Sequence, residues 1–152
     1  MGGILLILGV ALGLTDYLVT AGVPNAAADW VANSIESRWL FLLLLNLLLI
    51  SVGALMDIYS AIFIVVPLII PMSKWFNIDP IHLGVIFLAN AELGYLSPPV
   101  GVNLFISSLR FNKPITEVFR AVIPMIVVFL IGVLLITYVP PLSTTLPNLL
   151  GK

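Results

Sequence analysis

Cysteine is absent, histidine occurs once, and only 9% of the 152 residues are charged. Without cysteine there is no disulfide and no thiolate metal site, and the redox compartment is left open. One histidine, His82, argues against a histidine-based metal cluster. Soluble domains carry roughly 25% charged residues, so the shortage here excludes an ordinary water-facing surface. A net charge of −1 offers no basic character for nucleic acid. What fills the chain is apolar: 61% of residues are hydrophobic and the mean hydropathy is +1.22. In hydrocarbon every backbone polar group must be satisfied internally, so such a chain is expected to be an all-α integral membrane protein. Neither an internal repeat nor a low-complexity linker divides it, and residues 1–152 read as a single membrane domain.

The run Ile4–Leu14 has no basic region before it and no convincing small-residue cleavage site after it. It reads as the start of a membrane helix, 4–21, rather than as a signal peptide. Gly22-Val23-Pro24-Asn25 ends that span. Residues 26–37 are less apolar, with Ala27, Trp30, Val31, Ser34 and Ile35 at helical spacing. They suit either an interfacial helix anchored by Trp30 and Trp39 or a plain connecting helix. Trp39 to Phe76, as one straight helix, would run roughly 57 Å against a hydrocarbon core of about 30 Å. The polar-flecked stretch Gly53–Ser60 interrupts it. The second arm, Ala61 to Met72, measures only about 18 Å and contains Pro67 and Pro71. A re-entrant hairpin over 39–73, with its tip at Gly53–Ser60, accommodates both arms; two tilted, kinked spans are the alternative. Asp79-Pro80 marks the next helix start. Residues 81–109 read as one crossing broken near mid-depth, and 118–139 as a final span kinked at Pro124 and ended by Pro140-Pro141. Clustering of Arg110, Lys113 and Arg120 favours the cytoplasm for that side, against the dispersed Arg38, Lys74 and Lys152.

The break itself is Gly94-Tyr95-Leu96-Ser97-Pro98-Pro99-Val100-Gly101. Two prolines without N–H groups free carbonyls that hydrocarbon will not satisfy. Irregular backbone at such depth survives where protein buries it or where it lines a polar cavity, as in discontinuous transporter helices. Polar candidates flank both interruptions. Asn46 and Asp57 belong to the first; Asp57 either faces a cavity, partner or ion, since a mid-bilayer charge costs about 2.5–3.5 kcal/mol, or caps the second arm. Asn90, Glu92 and Asn103 flank the second, with cavity roles set against interhelical packing or capping. Ser107, four residues after Asn103, reads as an interhelical hydrogen-bonding group, and His82, at a helix start near the interface, as non-catalytic. The available chemistry is oxygen-rich and thiol-free. Freed carbonyls with Ser, Asn and carboxylate oxygens suit a hard cation such as Na⁺, and helix N-termini suit an anionic group. No catalytic set is expected: the G-x-S-G and G-x-G-D strings of intramembrane proteases are both missing.

Asn77-Ile78-Asp79-Pro80-Ile81-His82-Leu83-Gly84 and Gly94-Tyr95-Leu96-Ser97-Pro98-Pro99-Val100-Gly101-Val102-Asn103-Leu104-Phe105 together carry a family resemblance. They resemble the G-I-D-P-x-H-x-G and G-x-x-T-P-P-V-G-x-N-L-F patterns of the large membrane subunit of TRAP (tripartite ATP-independent periplasmic) transporters, DctM type. Asn77 stands for the usual Gly and Ser97 for the usual Thr. The likeness runs from Ile4 onward but matches only the C-terminal part of that subunit. It implies one half of an inverted-repeat transporter, with a Na⁺ site formed by Gly53, Met56, Gly94, Ser97 and Val100. It implies Na⁺ as coupling ion, no other cofactor, elevator-type motion and secondary active import of organic acids such as C4-dicarboxylates or sialic acid. The implied partners are a periplasmic solute-binding protein, a small membrane subunit, the missing N-terminal half and membrane lipid, in the bacterial inner membrane. On this reading the chain is a fragment, split-gene product or truncation, and is expected not to transport alone. The alternatives are a Na⁺-coupled carboxylate transporter acting without a binding protein and a homodimerising half-transporter.

Overall fold

The computed structural model describes residues 2–56, 58–98 and 101–150. Among them are eight helices and no strand: α1 (Gly2–Thr20), α2 (Val23–Ser34), α3 (Arg38–Leu55), α4 (Ile58–Trp75), α5 (Pro80–Tyr95), α6 (Val102–Phe111), α7 (Ile115–Tyr138) and α8 (Pro141–Leu149). The expected all-α architecture is what the chain adopts. Among the described residues, α3, α4 and α7 are each long and apolar enough to cross a membrane.

The helices gather into two compact units. The first joins Met1–Phe41 with Met56–Pro80, the second Leu42–Leu55 with Ile81–Lys152. In the first, α4 packs on α1 and α2. Its buried residues, Ala61, Val65, Ile69 and Ser73, recur every four positions and form one stripe. The turn between α1 and α2 is set by Gly22, whose φ of 72° lies in the left-handed region that glycine enters at little cost. Pro24 follows in the first turn of α2, where its missing N–H would have had no helical partner. At the far end of the unit the Phe41 and Phe76 rings stack with centroids 4.3 Å apart. α4 then stops in a Schellman motif: Ile78 N donates to Ser73 O (3.0 Å) and Asn77 N to Lys74 O (3.2 Å). Asn77 holds φ 51° there. That conformation admits glycine and, next best, asparagine, which accounts for Asn77 where the family pattern has Gly.

The helix boundaries correct two expectations. α4 continues through Pro67 and Pro71 and has 18 residues, not the 12-residue arm expected. Its length, about 27 Å at 1.5 Å per residue, approaches a full crossing. Shortness therefore no longer favours a hairpin over two crossings. The less apolar helix starts earlier than residue 26 and ends at Ser34, where Ile35 turns extended (φ −126°).

The second unit carries the break. α3 turns Leu42, Leu45, Asn46, Leu49, Gly53 and Ala54 inward, positions three or four apart. α5 buries Leu83, Ile86, Asn90, Leu93 and Gly94 along with its N-terminal His82. α7 buries little beyond Val133 and Thr137. Its outward residues, Val127, Val128, Phe129, Leu130 and Ile131, form an apolar surface of the kind water does not tolerate and lipid does.

Candidate functional site: a glycine crossing beside a broken helix

α3 and α5 approach backbone to backbone at Gly53 and Gly94, both within the second unit. A Cβ on Gly94 would lie 2.6 Å from the Gly53 carbonyl carbon, 2.7 Å from its Cα and 2.8 Å from Ala54 N. A Cβ on Gly53 would lie 2.9 Å from Ala91 O. Neither position has room for any side chain. The crossing falls at the C-terminal ends of both helices, where the last carbonyls lack helical donors and carry the negative end of the helix dipole.

The chain past α5 folds back on this point. Leu96 N donates to Leu93 O (3.2 Å) and Ser97 N to Gly94 O (2.9 Å), which tightens the last turn. The Ser97 hydroxyl donates to Leu93 O (2.9 Å), so its one proton is spent on a carbonyl and its lone pairs stay available. Beyond the prolines Gly101 N reaches Ala54 O (3.3 Å) and ties the start of α6 to the end of α3. Gly101 has φ 46°, and a Cβ there would meet Ser97 O at 2.8 Å. The oxygens gathered here are carbonyls and a hydroxyl, hard donors without net charge, which suit a weakly held alkali cation better than a transition metal.

One helical turn or more away, Asn46, Asn90 and Thr137 form a buried polar cluster. Asn90 Nδ2 donates to Asn46 Oδ1 (2.6 Å) and to Ile86 O (2.8 Å). Thr137 Oγ1 donates to the same Asn46 Oδ1 (3.0 Å), and Asn46 Nδ2 to Leu42 O (2.8 Å). With both Asn90 amide protons committed, the orientation of that amide is fixed and Oδ1 is left without a protein partner at 0% exposure. The Thr137 carbonyl faces His82 Nε2 (3.2 Å), which must donate because a carbonyl only accepts. His82 Nδ1 lies 2.5 Å from the Ser143 hydroxyl. One connected polar chain thus links α3, α5, α7 and α8.

Of the expected cation ligands, Gly53, Gly94 and Ser97 come together. Met56 falls in the other compact unit. Val100 and, among the cavity candidates, Asp57 lie outside the described residues. Asn46 and Asn90 meet directly. Glu92 instead sits on an exposed face of α5, because the α5 residues that turn inward are its neighbours Ala91 and Leu93. Asn103 is half-buried in the first turn of α6. His82, expected near an interface, is buried to 1% exposure. Thr137 and the Gly101–Ala54 tie were missed; a hydroxyl directly after the apolar run Ile126–Ile136 was the available signal for the former.

These features define the class: a membrane protein whose described elements are all helices, with an interrupted helix whose second half is tied at its start to a neighbouring helix. Residues 1–142 match the family model described as Tripartite ATP-independent periplasmic transporter, DctM component, and the chain belongs to that family. It is 36% identical over 148 residues to the C4-dicarboxylate TRAP transporter large permease protein DctM of Pseudomonas aeruginosa, covering 97% of this chain and 35% of that protein. Against the protein of the same name from Rhodobacter capsulatus it is 40% identical over 130 residues, 86% of this chain and 30% of that one. The sialic acid TRAP transporter permease protein SiaT of Haemophilus influenzae is 33% identical over 135 residues, 89% and 22% respectively. The chain therefore spans about a third or less of the length of these relatives.

Proposed function

We propose that this chain forms the C-terminal part of the membrane subunit of a Na⁺-coupled secondary transporter in the bacterial inner membrane. Its cargo is an organic acid, of the C4-dicarboxylate or sialic acid kind named in its relatives, handed over by a periplasmic binding protein and taken up with a small membrane subunit and the rest of the large subunit. Residues 39–73 act as the re-entrant element and 81–109 as the broken helix. The observation that carries the reading is the glycine crossing. Two helix C-termini meet there with no side chain between them, and the Ser97 hydroxyl adjoins. Helix C-termini favour cations, and unwound backbone with half-helix C-terminal ends is how discontinuous helices coordinate Na⁺. Gly53, Gly94 and Ser97 would hold the ion, which supplies the coupling charge. Asn90 Oδ1, buried and unpartnered, is the polar atom best placed to receive a donor inside the same unit.

Ligand linkage gives the test. A cation that binds only the folded chain stabilises it by RT ln(1 + [L]/Kd), about 2.7 kcal/mol at a hundredfold excess over Kd. Thermal unfolding of the purified chain in detergent should shift upward with NaCl and not with equal KCl, and Ser97→Ala should weaken the shift. Identical curves in the two salts, for a chain shown to be helical, would sink the ion assignment.

A further inference from the structure

A concavity lies between α6 and α7 within the second unit. It has a volume of about 280 Å³ and a mostly apolar wall. α6 contributes Ser107 and Phe111, and α7 contributes Val118, Ala121 and Val122. Lys113 and Glu117 also line it, paired at 3.0 Å with both side chains more than half exposed. The loop that carries Lys113 is hydrogen-bonded back to α6. Asn112 takes φ 51°, Lys113 N donates to Ser108 O (3.1 Å), and the Ser108 hydroxyl donates to Lys113 O (2.6 Å).

Charge and position say what fits. Arg110 in the last turn of α6, Lys113 in the loop and Arg120 near the start of α7 are three of the six basic residues in the chain, against Glu117 as the one acid between 110 and 120. Four of the groove's lining residues belong to α7, a helix that buries only 6% of its apolar window. An apolar groove against a membrane-spanning helix, with excess positive charge in the sequence at that helix's start, matches an acyl chain beside an anionic headgroup. Basic pockets between membrane helices on the cytoplasmic side bind such headgroups, and basic clustering favours that side for this loop.

We propose that the α6–α7 groove is a binding site for an anionic phospholipid, with one acyl chain against Phe111, Val118 and Val122 and the phosphate held by Arg110 and Lys113. The acyl chain explains why a concave, unfilled apolar wall is compatible with a folded chain. The headgroup explains why the pairing of Lys113 with Glu117 still leaves excess positive charge in this segment.

The test places a reporter in the groove by Phe111→Trp, a conservative change at a 70% exposed residue. The purified chain in neutral detergent is titrated with phosphatidylglycerol or phosphatidylcholine carrying the same brominated acyl chains. Quenching of the introduced indole is read as the excess over the wild-type signal. Basic residues each favour an anionic surface by a factor of roughly five. The phosphatidylglycerol midpoint is therefore expected at least about fivefold lower than that of phosphatidylcholine, and Arg110→Gln with Lys113→Gln should bring the two together. Ala121→Phe, which fills the slot, should abolish saturable quenching by either lipid while leaving the helical circular dichroism unchanged. Equal midpoints in Phe111→Trp, or a preference that survives removal of both basic residues, would overturn the proposal. So would the absence of saturable quenching in a chain that migrates as a dimer, which would assign the groove to a protein contact.

Discussion

Gly94→Ala adds one carbon, and the structure says where that carbon goes. It would sit 2.6–2.8 Å from three backbone atoms, the Gly53 Cα and carbonyl carbon and Ala54 N. Favourable carbon contacts lie near 3.5–4.0 Å, so α3 and α5 must part by about 1 Å. No rotamer change relieves the clash, because every atom met is main chain. Overpacking of this kind costs about 1–3 kcal/mol or somewhat more, while the gain in helix propensity over glycine returns up to about 1 kcal/mol. A net loss of about 1–3 kcal/mol is expected. Gly84→Ala is the matched control. It lies on the same helix, and its Cβ would meet nothing within 4 Å. That change should be neutral or stabilise by up to about 1 kcal/mol. Equilibrium unfolding of both variants in mixed detergent micelles provides the comparison. A Gly94→Ala chain as stable as Gly84→Ala would mean that the helices do not touch at this point, and the proposed Na⁺ site would lose its supporting observation.

Two further outcomes can be read in the same assay. Asn46→Leu removes the acceptor shared by Asn90 and Thr137 and strands two buried donors, each worth about 1–3 kcal/mol; Thr137→Val removes one donor and should cost about 1 kcal/mol. Equal losses would show that Asn46 does not bridge the three helices. Asn77→Gly should be tolerated in the left-handed turn after α4, whereas the β-branched Asn77→Val should cost about 1–2 kcal/mol. No difference between these two would contradict the Schellman geometry.

What the sequence made readable was mostly its punctuation. Gly22, Asp79-Pro80, Gly94–Gly101 and Pro140-Pro141 end or start helices through backbone chemistry that does not depend on surroundings, and each lies within a few residues of an observed boundary. Pro67 and Pro71 misled because a proline penalty is local. Ile58–Trp75 stays helical around them, with Ala61, Val65, Ile69 and Ser73 packed as one stripe. The inward face of α5 was hidden for a different reason. In lipid the outward side is as apolar as the inward one, so the amphipathic period that betrays a buried face in water is lost. Only small and polar residues still mark contact there. That is why Gly53, Gly94, Asn46 and Asn90 could be picked out, while the burial of His82 and the rotation that brings Thr137 to Asn46 could not. The Phe111 groove went unnoticed because its wall is ordinary apolar sequence.

The crossing of Gly53 over Gly94 also bears on how this protein can change over time. Most packed pairs drift by exchange: one side chain grows as its neighbour shrinks. Here each residue is already at the lower limit and faces main chain, which does not vary. A substitution at one therefore has no compensating substitution at the other. Rescue would require the two helices to shift together, along with the Gly101 tie to Ala54. The two sites should accordingly be fixed independently of each other, tolerating neither single nor paired replacement, while the apolar residues around them exchange freely.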